Sequence, residues 1–390
     1  MATVGVFGLN MTPQTGGTFR LLDTMMVQAA RSRHRFLYLS HDPRPGPDLP
    51  SNVRWIGRPA SRVRPVQAVL NVPGIERPLA RGRFARWAIG ALSAVDSSVF
   101  GEVDVWLWPH TCAPIPFLGR PMVPIAHDLI HHRFPDEFSR RELRLRRSAE
   151  NALVRCAAVL CPSQTSKRDL LAAYPELEPL VSVFSEAPTE LWDPTDCEDE
   201  RAWILGKFGD SPLFVTIGFD WPHKNHALLL DVAHQLAARG VEPRPRIVFV
   251  GHRKGNALAR AIRRAGLEHV VSDVGPVSRK QLVAFYTHAS ALLFPSRYEG
   301  FGIPLVEAMH YGVPIVASDA ACIPEIVGDA GVLLPPDDVD VWARAIEELV
   351  VDPPRAGSLA AKSRGGADRY SWARTWSELD AGLETALGHL

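Results

Sequence analysis

The stretch ALLFPSRYEGFGIPLVEAMHYGVPIVASD, Ala291 to Asp319, sets two short apolar runs on either side of an unusual turn. ALLFPS and PIVASD have the length and apolar content of strands buried on both faces of a parallel sheet. Between them LVEAMHY reads as a helix that Gly312 stops. Pro304 is placed like the first residue of that helix, where its missing N–H costs nothing. Strand, helix, strand in this order is the repeating unit of an α/β fold. The turn from Arg297 to Gly302 leaves the C-terminal end of its strand, the edge at which open α/β sheets bind ligands. The amides of Phe301, Gly302 and Ile303 then point out of a helix N-terminus, and the glycines let a phosphate come close to the backbone. Glu299 stands just before this anion site, and Glu307 in the first turn of the helix behind it. One carboxylate can meet a sugar and the other the hydroxyls of a ribose. The structural alternative for Glu307 is that an acidic side chain in a first turn complements the helix dipole.

The same rhythm runs outward in both directions. Towards the N-terminus of this half come PLFVTIG, NHALLLDVAHQLAARG, RIVFVG, ALARAIRRAG, VVSDVG and RKQLVAFYTHA; GVLLP and VDVWARAIEELVVD follow. The first half holds TVGVFGL, GGTFRLLDTMMVQAARS, RFLYLS, VDVWLWP, MVPIAHD and AAVLCPS. Two such series predict two doubly wound, Rossmann-like domains with parallel sheets. Pro and acidic residues interrupt the pattern at FSEAPTELWDPTDCEDE, Phe184 to Glu200, and put the seam there. The expected domains are 1–190 and 191–371. Residues 41–64, rich in Pro and Arg, read as a long surface excursion.

A chain of 390 residues is too long for one core, which fits two domains. The N-terminus runs straight into a strand pattern without a basic leader, and no apolar run approaches the length of a membrane span. Five scattered cysteines without a C-x-x-C pair read as reduced thiols of a cytoplasmic protein, not as a disulfide framework or a zinc site. The zero net charge is unevenly spread: residues 1–195 carry 23 Lys and Arg against 18 Asp and Glu, and all but Lys167 of those cations are arginine. Such a half could meet an anionic partner or a membrane surface, and nothing points to nucleic acid. The plainer reading is that two domains simply differ in charge.

The segment FPSRYEGFGIPLVEAMHYGVPIVASDAACIPEIVGDAGVLLPPDD resembles the donor-binding region of retaining glycosyltransferase family 4, whose fold is GT-B. The family's E-x7-E motif stands as Glu299 and Glu307, and its lysine segment is similar to IGFDWPHKNHALLL, with Lys224 as the lysine. GPVSRKQLVAFYTHA and YSWARTWSELDAGLETAL also match, and the resemblance covers about Val215 to Ala386. In the first half it rests on VGVFGLN, the glycines Gly16 and Gly17, and PIAHDLIHHRFPD. It implies two Rossmann-like domains facing across a cleft, with residues 372–390 as a helix crossing back to the first. It further implies a nucleoside diphosphate sugar donor held mostly by the second domain, a glycan, lipid-linked or small-molecule acceptor, and no cofactor. The activity implied is transfer of a hexosyl group, of mannosyl or glucosyl type, in cell-surface polysaccharide or glycoconjugate synthesis.

Elementary chemistry agrees with that site. A leaving diphosphate gains negative charge as the glycosidic bond breaks, and Lys224 with the amides at 301–303 supplies fixed positive ends aimed at it. Such a site can dispense with a metal. The D-x-D at Asp338 and Asp340 reads instead as the cap of the helix VWARAIEELV. By resemblance His127, beside Asp128 at the end of MVPIA, would touch donor sugar or acceptor through either ring nitrogen; the alternative is a histidine merely hydrogen-bonded in place. Gly16 and Gly17, opening the first long helix, would let the backbone approach the same diphosphate. Two departures from the family stand out: His223 precedes Lys224 where an arginine is common, and Phe219-Asp220 follows the strand glycine where a second is common. Arg297 or Arg253 could compensate. Arg140, Arg144 and Arg147 in RRELRLRR form one stripe, which suits a solvated helix pairing with Glu137 and Glu142 or a peripheral membrane contact. A sugar-nucleotide-binding partner subunit without strong catalysis is the rival from outside the enzymes. A nucleotide-dependent oxidoreductase would need G-x-G-x-x-G, and GVFGLNMTPQTGG lacks that spacing.

Overall fold

The computed structural model describes residues 1–8, 17–40, 49–57, 97–112, 115–189, 192–253 and 255–388. It divides into two compact units, Met1–Ala187 with Ser371–Leu390, and Pro188–Tyr370. The first unit is built on a parallel sheet in the order β3-β2-β1-β4-β5. Its strands are β1 (Thr3–Gly8), β2 (Arg35–Ser40), β3 (Val53–Gly57), β4 (Val105–Trp108) and β5 (Met122–Pro124). A parallel pair, β6 (Val159–Cys161) and β7 (Val181–Val183), continues it through a bridge between Ile125 and Leu160. β1, β2 and β4 are almost continuously buried, as parallel strands covered on both faces require.

β3 corrects the reading of residues 41–64 as a surface excursion. Val53–Gly57 pairs in register with β2, Phe36 opposite Val53 through Ser40 opposite Gly57, and Trp55 packs edge-on against Tyr38 at 4.7 Å. As an edge strand it is only half buried, so Arg54 is admitted and the apolar run that marks a central strand is missing. Residues 41–48 and 58–64 lie outside the described residues.

The second unit carries a six-stranded parallel sheet, β10-β9-β8-β11-β12-β13. In chain order the strands are β8 (Leu213–Ile217), β9 (Arg246–Val250), β10 (Val271–Gly275), β11 (Ala291–Phe294), β12 (Ile315–Ser318) and β13 (Val332–Leu334). Two apolar layers cover its faces, one including Phe285, Phe294 and Leu305, the other Phe214, Phe249 and Trp342. Both units are therefore doubly wound Rossmann-like α/β sheets, and the expected fold class, GT-B, is the one observed.

The helix Trp372–Leu387 belongs to the first unit. Ser371 caps it by accepting from the Arg374 amide. Trp376 packs on Phe36 at 5.0 Å, and Asp380 accepts from the Ser32 hydroxyl (2.6 Å) and the Arg33 amide (3.2 Å). Gly382 lets it lie against Leu160, whose Cδ2 a β-carbon there would meet at 2.6 Å. Among the described residues no helix is long and apolar enough to cross a membrane.

Candidate functional site

In the second unit the strand order reverses between β8 and β11: β9 and β10 lie outside β8, and β12 and β13 outside β11. That reversal opens a crevice at the carboxyl ends of the strands, the general ligand position of such sheets. Lys224 follows β8 and Glu299 follows β11, and their side chains meet there, Nζ 2.5 Å from Oε1. The pair is mostly sheltered, at 19% and 12% exposure.

Backbone ties hold the two loops in place. The turn Pro222–Lys224 ends in Asn225, whose left-handed backbone (φ 58°) aims its amide at the carbonyls of Pro295 (3.2 Å) and Pro336 (2.7 Å). The Arg297 amide donates to the His223 carbonyl at 2.8 Å. The Lys224 ammonium has three donors, of which Glu299 engages one, and it also stands 5.7 Å from the Phe294 ring centroid.

The next loop presses close. Gly251 has φ 130°, and a β-carbon there would sit 2.2 Å from the Gly218 carbonyl oxygen, so only glycine fits. Arg253 donates from Nη1 to that carbonyl at 3.0 Å and from Nε to Asp273 at 3.0 Å, while its buried Nη2 has no hydrogen-bond partner. Arg297 instead pairs with Asp337 at 2.6 Å on the surface. Of the two arginines considered as compensation for Phe219 and His223, Arg253 is thus the one seated against the glycine that ends β8.

The turn after β11 delivers the helix Ile303–Tyr311, with Gly302 as its N-cap at φ 105°. The helix begins one residue before Pro304, which occupies the second helical position; an N–H there would still lack an acceptor. Phe301 points inward, its ring edge-on to Tyr370 at 5.7 Å, and its carbonyl accepts from the Cys322 thiol at 3.2 Å. The amides of Phe301, Gly302 and Ile303 stand at the helix start. Glu307 requires a correction: it lies beyond the first turn, where dipole complementation has faded. It is buried, at 3% exposure, and accepts from the Thr189 amide (3.2 Å), the Thr189 hydroxyl (2.6 Å) and the Tyr286 hydroxyl (2.7 Å). Neither Thr189 nor Tyr286 is marked by local sequence pattern.

Asp338 caps the helix Val339–Val351 by accepting from the Val341 amide at 3.1 Å, as read from the sequence. Asp340 pairs with Arg239 at 3.1 Å and accepts from Gln235.

In the first unit His127 follows β5. Its Nδ1 lies 3.1 Å from Glu186 and its Nε2 2.9 Å from the Pro109 carbonyl. A carboxylate and a carbonyl accept, so protons on both ring nitrogens satisfy both contacts, an arrangement that favours the imidazolium form. Burial works against that charge, but the hydrogen bond and charge of Glu186, with the Pro109 carbonyl, outweigh it and raise the pKa above the ordinary value. Neighbouring His110 goes the other way, to about 3, through burial and the positive charges of His127 and Arg146. Asp128 accepts from the Ile130 amide at 3.0 Å. Gly17 opens the helix Gly17–Val27, and Gly16 lies outside the described residues. Glu186, in a segment read only as the seam, is the partner that sequence reasoning missed.

Residues 198–365 match the family model described as glycosyl transferases group 1. A D-inositol 3-phosphate glycosyltransferase of Corynebacterium aurimucosum is 31% identical over 276 residues, 67% of this chain and 65% of that protein. O-antigen chain mannosyltransferase B of Escherichia coli is 34% identical over 158 residues, 40% of this chain and 41% of that protein. These matches span less than two thirds of the relatives' own lengths. Among solved structures, Anabaena HepE in complex with UDP and glucose superposes with a TM-score of 0.71 at 19% identity, covering 99% of this chain and 100% of that one. WaaG, involved in lipopolysaccharide biosynthesis, gives 0.67 at 16% identity over 98% of each chain.

Proposed function

We infer that this chain, which belongs to the group 1 glycosyl transferases, moves a hexosyl group from a nucleoside diphosphate sugar to a glycan, lipid-linked or small-molecule acceptor. Mannosyl or glucosyl transfer in cell-surface polysaccharide or glycoconjugate synthesis is the form that the mannosyltransferase and UDP-bound relatives favour. The observation that carries the reading is the Lys224–Glu299 pair at the β8/β11 switch point, beside the amides that open the helix Ile303–Tyr311.

The pair sets a cation and an anion side by side where a sugar diphosphate would place opposite charges during bond cleavage. Lys224 and the helix-start amides take the diphosphate, whose charge grows as its oxygen leaves the anomeric carbon. Glu299 holds sugar hydroxyls and faces the positive charge developing on the ring. The acceptor oxygen bonds to the anomeric carbon on the face the phosphate leaves, and its proton passes to the departing phosphate oxygen. Configuration is retained, and Glu299 is not a nucleophile. Glu307, fixed by Thr189 and Tyr286, is the carboxylate assigned to the ribose hydroxyls. His127, with both ring nitrogens engaged by Glu186 and the Pro109 carbonyl, is assigned a positioning and electrostatic role on the first unit and not that of a general base. Asp338 and Asp340 are committed to a helix cap and to Arg239, so the diphosphate charge is assigned to protein groups and not to a metal held by them.

The test is a panel of nucleotide sugars offered with lipid-linked and soluble acceptors, with the product's anomeric proton read by NMR. Retention with one donor, and turnover changed by less than about twofold on adding magnesium or manganese, is expected. An inverted linkage would refute the mechanism. Nucleotide binding without turnover on any acceptor would favour the binding-subunit reading.

A further inference from the structure

A second cluster lies in the first unit and includes none of the residues assigned above to transfer. His131 and His132 sit side by side on the short helix Ile130–Arg133. Glu150 comes from the last turn of the helix Arg140–Ala152, whose start is fixed by the capping box of Ser139 and Glu142. His131 Nε2 is 2.7 Å from Glu150 Oε1 and His132 Nε2 is 3.1 Å from Glu150 Oε2, so one carboxylate faces two imidazoles. The Tyr174 hydroxyl donates to Glu150 Oε2 at 2.7 Å. One nitrogen from each histidine and one carboxylate oxygen fall within 4.8 Å of one another.

We propose that His131, His132 and Glu150 bind a divalent transition-metal ion, zinc by ligand type. Two imidazoles and a carboxylate are a common zinc donor set, and they leave a further coordination position open. His131 and Glu150 are buried, while the His132 side chain is 37% exposed, so the site has a closed floor and a route to water for that position. Tyr174 supplies the outer hydrogen bond that orients a ligating carboxylate.

The burial of His131 is a further observation. Its Nε2 faces Glu150 Oε1 at 2.7 Å, and its buried Nδ1 has no hydrogen-bond partner among the described residues. With ligand bonds of about 2.0–2.2 Å in tetrahedral array, the His131–Glu150 separation would open by roughly 0.6–0.8 Å. The ring of His132 stands edge-on to that of His131 at 4.6 Å, which lets both nitrogens face one point.

The proposal is tested on the full chain, stripped with a chelator, dialysed and titrated with zinc alone and with cobalt(II) alone. One equivalent of zinc should bind with a Kd tighter than about 10 µM and raise the thermal midpoint, and cobalt(II) alone should give visible d–d absorption that zinc then bleaches. His132→Gln, at an exposed position that leaves the core intact, and Glu150→Gln should each weaken zinc binding about 100-fold or more, while His269→Gln on the other unit should not. Absence of saturable binding, or His132→Gln binding as tightly as the unaltered chain, would overturn it. Neither readout depends on glycosyl transfer.

Discussion

Glu299 and Glu307 are separated by seven residues and live in opposite worlds. Glu299 is in a loop at the rim of the sheet and is paired with a flexible ammonium. Glu307 is inside a helix and held by hydroxyls and an amide from two distant segments. An ammonium–carboxylate pair that is only partly buried can exchange partners at low cost, since a diphosphate replaces the carboxylate as counter-ion to Lys224. A buried carboxylate satisfied by neutral donors cannot move without leaving those donors unpaired. The first is built to respond to a ligand, the second to present a fixed surface.

The largest expected consequence of that difference is kinetic. Glu299→Ala should lower turnover by roughly 10² to 10⁴ while calorimetric nucleotide binding stays largely intact; equal loss of binding would put Glu299 on the nucleotide instead of the sugar. Lys224→Ala comes next, weakening donor binding by about 1.5–3 kcal/mol through the lost charge-assisted contact. Unchanged affinity in a titration with the right nucleotide would remove Lys224 from the site.

Stability separates the two carboxylates more finely. Glu307→Gln should destabilise the second unit by about 1–3 kcal/mol, and Glu299→Gln by no more than about 1 kcal/mol, in denaturant unfolding. Equal losses would erase the distinction drawn between them. Tyr286→Phe should reproduce part of the Glu307→Gln effect, because it removes one of the donors to that carboxylate.

Glu186 lies between these extremes, buried like Glu307 and, like Glu299, paired with a side chain that can carry positive charge. The smallest expected effect concerns its partner. The folded-state pKa of His127 is raised, so its contribution to stability is fully present below the unfolded value of about 6.5 and lost as pH rises through the higher folded value. Proton NMR of the His127 ring should titrate above 6.5 and shift down in Glu186→Gln. A midpoint at or below the ordinary value would mean that burial wins over Glu186.

Local pattern made the central strands, the Gly302–Gly312 helix, the Asp338 cap and the Lys224 and Glu299 positions legible, because each is marked by residues within a few positions. What escaped depends on contacts between distant segments. β3 is recognisable only from its pairing with β2, since half-buried edge strands need no apolar run. The first-turn assignment of Glu307 failed because the helix starts at Ile303, and its real environment comes from Thr189 and Tyr286. The seating of Arg253 on Gly218, and of Glu150 between two histidines, joins residues whose separation in sequence carries no periodic signal.

The return of the Trp372–Leu387 helix has a consequence for the order in which the molecule can be made. The second unit is inserted between Ala187 and Ser371 of the first, so a ribosome delivers all of the second before the last helix of the first. Until that helix emerges, Phe36 lacks Trp376, Leu160 lacks the Gly382 surface, and the Ser32 hydroxyl lacks Asp380. The earlier-synthesised unit should therefore be the later to reach its full stability, and nascent chains stalled just before Ser371 should protect residues 188–370 from protease better than residues 1–187.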